Sequence, residues 1–304
     1  MEHLRTMQRT LETIERRLVE PLSIDALAHA AGLSRWHFQR IFHAMVGYPV
    51  GSYIRRRRLA EASERLRASA RTILDVALDF QFESHEAFTR AFKAEMAVTP
   101  SAWRRHALRA RQGLAPVVLN SDLIRHRYRH MHLTPEILTL PTRTFAGLPA
   151  RFIMPSSPDA NNLQVIPELW SRFIPRIREL APAMVEPHVV YGLSDTPDAL
   201  GETKTRPDEG FYLAAVQVAS NAELPRGMVK WTSPGGTFAR FLHRGSVQKI
   251  GATFGYIYGK WLPESGFVSG QGPDVERMDD RFDAASETSV FEILVPVKGS
   301  RPKA

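Results

Sequence analysis

Hydrophobic residues in roughly the first hundred positions recur at alternating steps of three and four, the spacing of an amphipathic α-helix. Met7, Leu11 and Ile14 show this pattern near the start. Serine or threonine precedes several such segments, and Gly32 and Gly47 each end one, as expected of helix caps. The pattern therefore predicts an all-α region, with helices over residues 4–18, 24–31, 35–46, 50–68, 72–79, 84–96 and 100–110.

The pattern changes after residue 113, where short apolar runs rich in β-branched residues replace the helical spacing. Two segments with helical spacing, 163–180 and 246–262, interrupt these runs, so that the order strand, helix, strand, strand occurs twice. We therefore predict an α+β domain made of two related halves. The predicted strands cover residues 137–140, 145–152, 189–193, 211–218, 238–242 and 290–297.

The chain of 304 residues is long enough for two domains. We place the all-α domain at 1–112, a linker or entering strand at 113–132, the α+β domain at 133–298 and a tail at 299–304. The net charge of +8 is unevenly distributed, because residues 1–112 carry +7 whereas residues 131–304 carry −1. This asymmetry points to a polyanionic partner for the first domain only.

The helical domain contains an internal repeat, in which residues 23–53 align with residues 72–103 when one residue is inserted. Each copy predicts a short helix, a turn and a second helix, which is the helix-turn-helix arrangement. The helix between the copies is roughly 27 Å long, which allows the two second helices to lie about 34 Å apart, one turn of B-DNA. The aligned pairs are Ile24 and Ile73, Ala28 and Ala77, Ser34 and Ser84, Phe38 and Phe88, Arg40 and Arg90, Phe42 and Phe92, and Tyr53 and Trp103.

The second helix of each copy has an apolar and a polar face, because successive helical side chains are about 100° apart. Phe38 and Phe42 mark the apolar face in the first copy, and Phe88 and Phe92 mark it in the second. A tryptophan on the polar face has no core to occupy, so we expect Trp36 to be exposed. Arginine, glutamine and threonine can all contact base edges in the major groove. The outward residues are Trp36, Gln39, Arg40 and His43 in the first copy and Glu86, Thr89, Arg90 and Lys93 in the second, with His85 nearer the edge.

Four consecutive arginines, beginning at Arg55, lie on the helix that connects the two copies. Such a run is by itself most often a solvated helix face. Beside two helix-turn-helix units, some of the four become candidates for contact with DNA phosphates.

Three stretches of the helical domain match a known family: PLSIDALAHAAGLSRWHFQRIFHAMVG, YIRRRRLAEASERL and ILDVALDFQFESHEAFTRAFKAEMAVTPSAWR. They resemble the DNA-binding domain of AraC/XylS transcription regulators over residues 5–110. Two usual glycines are replaced, by Gln81 and Ala97, as in the Rob-type branch, in which the DNA-binding domain also comes first. The resemblance implies two groups of DNA-contacting residues: Trp36, Gln39 and Arg40 at one half-site, and Ser84, His85, Glu86, Thr89 and Arg90 at the other.

The second domain resembles the GyrI-like effector-binding domain in the stretches PELWSRF, VVYGLSD, GGTFARFLHRG, GPDVERMD and FEILVPV. This resemblance implies a cleft between the two halves for lipophilic, often cationic, small molecules. A carboxylate among aromatic rings favours a cation, which also interacts with the ring faces. Alternatively, the aromatic residues belong to the core and the strand glutamate is solvated. The residues that match the cleft are Trp170, Tyr191, Tyr258, Glu276 and Glu292.

Together the two resemblances imply a DNA-binding transcription regulator that reads two adjacent major grooves and senses a small-molecule effector. Its partners would be double-stranded DNA, RNA polymerase and the effector, and we expect no enzymatic activity. Alternatively, the second domain is a small-molecule hydrolase with Glu276 or Glu292 as the base, or a module that sequesters a toxic compound.

Several other classes of protein are disfavoured by features that the sequence lacks. It contains no cysteine, which excludes disulfides and thiolate zinc sites. No apolar run is long enough to cross a bilayer and the N-terminus does not resemble a secretory signal, so we expect a cytoplasmic protein without a membrane partner. The histidines of HRYRHMH match no defined metal spacing, and no phosphate-binding glycine loop or catalytic signature occurs, so we expect neither metal nor cofactor.

Overall fold

The structure is a computed structural model that describes residues 2–106, 113–155, 157, 159–195, 206 and 208–299. The prediction of an all-α N-terminal domain is confirmed. The predicted end of the last helix at residue 110 and the tail from residue 300 lie outside the described residues. The helices of this domain are α1 (Glu2–Arg16), α2 (Ile24–Ala30), α3 (Arg35–Val46), α4 (Val50–Ala68), α5 (Ile73–Asp79), α6 (His85–Met96) and α7 (Pro100–His106).

Serine caps start the second helix of each helix-turn-helix unit at the residues that the repeat predicts. The Ser34 hydroxyl accepts a hydrogen bond from the backbone N–H of His37, and the Ser84 hydroxyl accepts one from Ala87. These bonds satisfy N–H groups that the first helical turn leaves without a partner. The starts of α3 and α6 are therefore fixed by local sequence.

The two copies of the repeat use left-handed backbone at the same places. Gly32 (φ 69°) and Gly47 (φ 88°) correspond in the second copy to Gln81 and Ala97, both with φ 63°. A side chain in this conformation brings Cβ close to the backbone, which is why glycine is usual there. The two replacements therefore keep the glycine conformation and bear its strain.

The two helix-turn-helix units have different hydrophobic cores. The second unit packs Leu66, Phe88 and Trp103 into a cluster of its own residues. The first unit packs residues such as Phe42 into a cluster that continues into the C-terminal domain at Tyr258. The first unit therefore shares its core with the rest of the protein, whereas the second does not.

The segment 113–132, expected to be a linker or an entering strand, contains a helix, α8 (Ser121–Arg127). Asn120 caps it by accepting a hydrogen bond from a backbone N–H of its first turn. Its sequence, SDLIRHR, has only two apolar residues, so hydrophobic spacing does not reveal it. Because Ile124 and Tyr128 belong to the core that the two domains share, this segment is part of their interface.

The C-terminal domain is an antiparallel sheet with helices packed on it. Its strands are β1 (Glu136–Leu140), β2 (Arg143–Ile153), β3 (Val190–Asp195), β4 (Glu209–Val218), β5 (Val229–Ser233), β6 (Gly236–Arg244), β7 (Val268–Ser269), β8 (Asp274–Met278) and β9 (Val290–Lys298). Its helices are α9 (Asn162–Phe173), continued by a 3-10 helix (Ile174–Ala183), and α10 (Ile250–Tyr256), continued through a π-helical turn (Ile257–Trp261) into α11 (Leu262–Glu264). Along the part of the chain described, no helix has both the length and the apolar character that a bilayer crossing needs.

The predicted pair of α+β halves is confirmed. One half contains β2, α9, β3 and β4, the other contains β6, α10, β8 and β9, and β3 pairs with β8 where they join. The sheet runs in the order β1-β6-β9-β8-β3-β4-β2-β5, with β7 beside β9. The sequence pattern does not predict β5, β7 or β8, because β7 has only two residues and most residues of β5 and β8 are polar or charged.

The two faces of the sheet have different roles, because successive strand residues point to opposite sides. Tyr191 and Val275 belong to an apolar cluster on one face. Asp274 and Glu276, the neighbours of Val275 along β8, point to the other face, towards the helices. Two carboxyl groups therefore lie on the helical side of the sheet.

Candidate DNA-reading helices and ligand cavity

The second helix of the second unit, α6, presents its polar face to solvent. Its fully buried residues lie on the opposite face, where Phe88 and Phe92 pack in the core of that unit. This is the arrangement that the repeat predicts for a helix that enters a DNA groove. Among the predicted DNA-contacting residues, His85, Glu86 and Arg90 are exposed, and Ser84 and Thr89 are half-buried.

The four consecutive arginines of α4 have different environments. Arg55 is exposed and available for a phosphate contact. Arg56 pairs with a carboxylate of α6 at 2.8 Å, and Arg57 is buried against Glu15 at 2.9 Å. Arg58 donates hydrogen bonds to backbone carbonyl oxygens of Leu18 and Glu20 in the loop after α1. Three of the four arginines therefore stabilise the helical domain itself.

The second helix of the first unit, α3, is covered by the C-terminal domain. Trp36 is only 1% exposed and Gln39 only 4%, while Arg40 and His43 are half-buried. The expectation that Trp36 lies on an exposed face is therefore wrong. The physical reason is that the other domain supplies the missing core, since the indole packs edge-on against Phe152 with ring centroids 6.3 Å apart.

Asp274 is the point at which α3 meets the sheet, and its side chain is 1% exposed. Its Oδ2 accepts a hydrogen bond from Trp36 Nε1 at 3.1 Å and lies 3.4 Å from Arg40 Nε. Its Oδ1 accepts a hydrogen bond from the Tyr258 hydroxyl. A buried carboxylate is stable only when it is paired and hydrogen-bonded. Two of these three partners belong to α3, so the stability of the Asp274 charge depends on that helix.

The Arg40 guanidinium lies among aromatic rings. Its Cζ is 4.0 Å from the ring centroid of Phe254, 4.4 Å from that of Trp36 and 5.7 Å from that of Tyr258. All three distances are within the range of cation–π attraction, about 6 Å. We refer to the three residues of the C-terminal domain that surround this cation, Phe254, Tyr258 and Asp274, as the cation seat.

A cavity of about 600 Å³ opens beside the cation seat. This volume is in the range of sites for drug-sized ligands, roughly 300–1,000 Å³. Its walls come from both domains, since they include the polar face of α3, the α10 segment with its π-helical turn, and the sheet. The lining residues of α3 are Trp36, Gln39, Arg40 and His43, and those of the sheet include Phe152, Tyr212 and Glu276.

Glu276 contributes a carboxyl group to the cavity, two residues after Asp274 on the same face of β8. Its Oε2 accepts a hydrogen bond from the Tyr212 hydroxyl at 2.9 Å, and Trp170 Nε1 donates to that hydroxyl oxygen at 3.3 Å. Gly192 makes room for this chain of bonds, because a Cβ there would lie 1.9 Å from the Tyr212 hydroxyl oxygen. The glycine of VVYGLSD is therefore required by close approach.

Burial raises the pKa of Glu276 to about 7, although the Tyr212 hydroxyl and the Arg40 charge both favour the ionised form. Burial and the negative charge of Glu276 also raise the pKa of Tyr212 well above its usual value, so its hydroxyl remains a hydrogen-bond donor. Burial next to Asp274 does the same for the pKa of Tyr258. A carboxyl that titrates near neutral pH can respond to an incoming cation by losing its proton.

The structure brings part of the predicted ligand-binding set to this cavity. Tyr258 and Glu276 line it. Trp170 acts on Glu276 indirectly, because its indole N–H donates to the Tyr212 hydroxyl, which in turn donates to Glu276.

The other two predicted ligand residues point to the opposite side of the sheet, which corrects their expected position. The Tyr191 hydroxyl donates to Glu186 there, and the Tyr191 ring packs against Phe145 with centroids 5.0 Å apart. Glu292 lies opposite Arg277 in the register of β8 and β9 and within 3.7 Å of it. Strand alternation explains the error, since both residues are out of phase with Glu276.

Sequence reasoning missed Tyr212 and Phe254, which line the cavity, and Asp274 of the cation seat beside it. Asp274 could have been found, because it lies two residues before Glu276 and therefore on the same strand face. Tyr212 lies in a continuous apolar run, EGFYLAAVQV, in which periodicity does not distinguish the two faces. Phe254 becomes a site residue only because Arg40 reaches it from the other domain.

Known proteins match both parts of this chain. A family model described as a GyrI-like small molecule binding domain matches residues 133–298, more than half of the chain. The chain belongs to this family. A second model, described as a helix-turn-helix domain, matches residues 27–106.

Relatives cover the chain in two ways. Right origin-binding protein of Escherichia coli (strain K12) is 29% identical over 293 residues, which cover 94% of this chain and 95% of that protein. Transcriptional regulator Rob of Salmonella typhimurium matches with the same identity and coverage. Regulatory protein SoxS of Salmonella typhimurium is 38% identical over 104 residues, 34% of this chain and 97% of SoxS. The resemblance to Rob-type AraC regulators is confirmed, and the chain is a DNA-binding transcription regulator with a GyrI-like small-molecule-binding domain.

Proposed function

We propose that this regulator reads two adjacent major grooves with α3 and α6, and that its C-terminal cavity binds a lipophilic cation. The environment of Arg40 carries the ligand half of this proposal. A delocalised cation there contacts three aromatic rings and lies 3.4 Å from a buried carboxylate oxygen. A small molecule with a comparable charge and apolar substituents would find the three residues of the cation seat, with Glu276 as a second acidic group.

The exposed polar face of α6 supports the DNA half of the proposal. Both Arg90 and Arg55 are exposed, and we assign Arg90 to a base edge and Arg55 on the connecting helix to a phosphate. We further propose RNA polymerase as a partner, because a regulator bound beside a promoter acts on transcription through that enzyme.

The DNA half is tested by comparing Arg90→Ala with Arg55→Ala on a site selected from a random DNA pool. Arg90→Ala should cost about 1–3 kcal/mol on the selected site and relax discrimination at one base pair. Arg55→Ala should weaken binding equally on all sequences and reduce the salt slope by about one. Fluorescence anisotropy at several salt concentrations measures both effects. Equal losses on selected and random DNA for Arg90→Ala would contradict base reading by α6.

The ligand half is tested with tetraphenylphosphonium, which carries a permanent charge, four aromatic rings and no hydrogen-bond donor. Because the pKa of Glu276 is about 7, this side chain is mostly neutral at pH 6 and mostly charged at pH 8. The affinity for the cation should therefore rise about tenfold between these values. Titration calorimetry in buffers of different ionisation enthalpy would also detect the proton that is released.

Two controls isolate the charge of Glu276. Glu276→Gln should weaken cation binding and flatten its pH profile, and neutral triphenylphosphine oxide should show no such profile with the wild-type protein. Absence of tetraphenylphosphonium binding, or a wild-type affinity that does not change with pH, would contradict the proposed ligand class.

A further inference from the structure

The face of α3 that the repeat assigns to DNA is also the face that closes the cavity. Trp36, Gln39, Arg40 and His43 all line it. Bases are read by side chains that project into a groove, and Trp36, at 1% exposure, has no access to one. In this arrangement, DNA reading by α3 and closure of the cavity by α3 exclude each other.

Arg40 occupies the cation seat as a cationic ligand would. If α3 left, Asp274 would lose the Trp36 N–H and the Arg40 charge, and its buried carboxylate would keep only the Tyr258 hydroxyl of the three contacts described. An unpaired buried charge is strongly unfavourable. A cation that entered the seat would restore the missing positive charge, so departure of α3 and arrival of the ligand compensate each other.

The linker holds α3 at a second point. Arg127 Nη1 donates to the carbonyl oxygens of Ala44 at 3.0 Å and Met45 at 2.9 Å, and the Tyr128 hydroxyl donates to Ala44 at 2.8 Å. These carbonyls belong to the last turn of α3, where a helix leaves them without an internal partner. The Tyr128 ring also packs edge-on against Tyr256 of α10, with centroids 6.3 Å apart. The docked helix is therefore joined to the C-terminal domain near both of its ends.

We infer that α3 is an internal ligand of this cavity, and that a lipophilic cation competes with it for the cation seat and thereby releases it to DNA. The inference rests on the proposed function, because it requires a cation that binds in the cavity. Since α6 is exposed while α3 is docked, release adds a second groove contact to one that is already available. By linkage, the cation raises DNA affinity by the same factor as DNA raises cation affinity.

Trp36→Ala in the full chain gives the sharpest test, with tetraphenylphosphonium as the probe and calorimetry as the readout. The substitution removes the hydrogen bond that α3 donates to Asp274 and most of the aromatic contact that α3 makes there. If α3 and the cation compete, the weakened docking should raise cation affinity on the order of tenfold. If the cation instead binds beside a docked α3, loss of an aromatic wall should lower the affinity or leave it unchanged, and the inference is overturned.

The control is Leu78→Ala, which truncates an exposed apolar side chain of α5 in the second unit and should leave cation affinity unchanged. Circular dichroism verifies that each variant is folded. The failure of this inference is distinguishable from failure of the proposed function. If the wild type binds the cation and Trp36→Ala does not bind it more tightly, the inference is overturned but the proposed function is not. If neither protein binds the cation, both are overturned.

A second variant tests release through DNA and does not alter the cation seat or the reading face. Arg127→Gln removes the hydrogen bonds to the end of α3 and should raise the affinity for a selected DNA site on the order of fivefold without ligand. Arg125→Gln removes the same charge from an exposed residue two positions earlier. If Arg127→Gln lowers DNA affinity as much as Arg125→Gln does, α3 is not held off DNA by these contacts.

Discussion

The helices α3 and α6 come from two copies of one repeat, yet their surroundings differ. In α3 nine of the twelve residues are buried, whereas in α6 only four of twelve are. Both helices bury their apolar face, and on the polar face α3 also buries Trp36 and Gln39, whose counterparts in α6, Glu86 and Thr89, are not buried. That face meets solvent in α6 and a carboxyl-lined cavity in α3.

The sharing of cores explains this difference. The second unit forms its hydrophobic core from its own residues, so no other part of the protein is needed to bury its apolar side chains. The first unit shares its core with the α10 segment and the linker, which brings its polar face against β8. A duplicated DNA-binding unit can therefore keep one copy exposed and place the other under the control of an attached domain.

The largest expected effect comes from removing the buried Asp274 charge, which holds α3 against the sheet. Asp274→Ala leaves Arg40, Trp36 and Tyr258 without their common acceptor, and should lower the free energy of unfolding by about 3–5 kcal/mol. Glu95→Ala breaks the ion pair of α6 with Arg56 near the surface and should cost at most about 1 kcal/mol. Urea unfolding monitored by circular dichroism measures both. Similar costs for the two substitutions would mean that the two helices are anchored alike.

The next largest effect is a change with pH in the free energy of unfolding, of about 2 kcal/mol, that arises from the first unit and not the second. Burial on α3, together with the Arg40 charge, lowers the pKa of His37 to about 4, although the Asp274 charge opposes this shift. The unfolded chain therefore binds this proton at a higher pH than the folded one. The His37 contribution to stability is complete above about pH 6.5 and is lost as pH falls towards 4, about 2 kcal/mol of it between pH 7 and pH 5.

This contribution has to be measured as a difference, because the raised pKa of Glu276 acts in the opposite direction over the same range. The folded protein binds the Glu276 proton more tightly than the unfolded chain, which stabilises it as pH falls below 7. Urea unfolding of the wild type and of His37→Gln at both pH values isolates the His37 term. If the stability of the wild type relative to the variant is the same at pH 5 and pH 7, His37 does not titrate as described.

The smallest expected effect concerns the left-handed residues that end the two helices. Ala97→Gly at the end of α6 should relieve strain and raise stability by at most about 1 kcal/mol, because the greater freedom of the unfolded chain offsets part of the gain. Gly47→Ala at the end of α3 should lower it by about 1 kcal/mol or more, since its Cβ would lie 2.8 Å from the Arg127 guanidinium. Thermal unfolding should show a higher unfolding temperature for Ala97→Gly and a lower one for Gly47→Ala. Effects of the same sign would show that the two helix ends are not equivalent.

The helical domain was largely predictable because its signals are local. The serine caps of α3 and α6 lie where the repeat places them, and the left-handed conformation persists at Gln81 and Ala97 where glycine is absent. The two α+β halves were also predictable from their alternation of strands and helices. The short helix α8 and the charged strand β8 were not, since neither carries enough periodic signal.

The candidate site was only partly predictable. Glu276 and Tyr258 were identified through a family resemblance and do line the cavity. Tyr191 and Glu292 were placed on the wrong side of the sheet, because the resemblance did not fix the strand face. Asp274, which joins the two domains, was missed.

The sequence by itself determined which residues form the helices of the repeat, where α3 and α6 begin, and which face of each is polar. These properties arise from spacings of a few residues. Only the tertiary structure decided that one polar face is covered, because Trp36 and Asp274 are 238 positions apart in the chain. A pattern within α3 can show that a side chain points away from its own core, but it contains no information about what another domain brings to meet it.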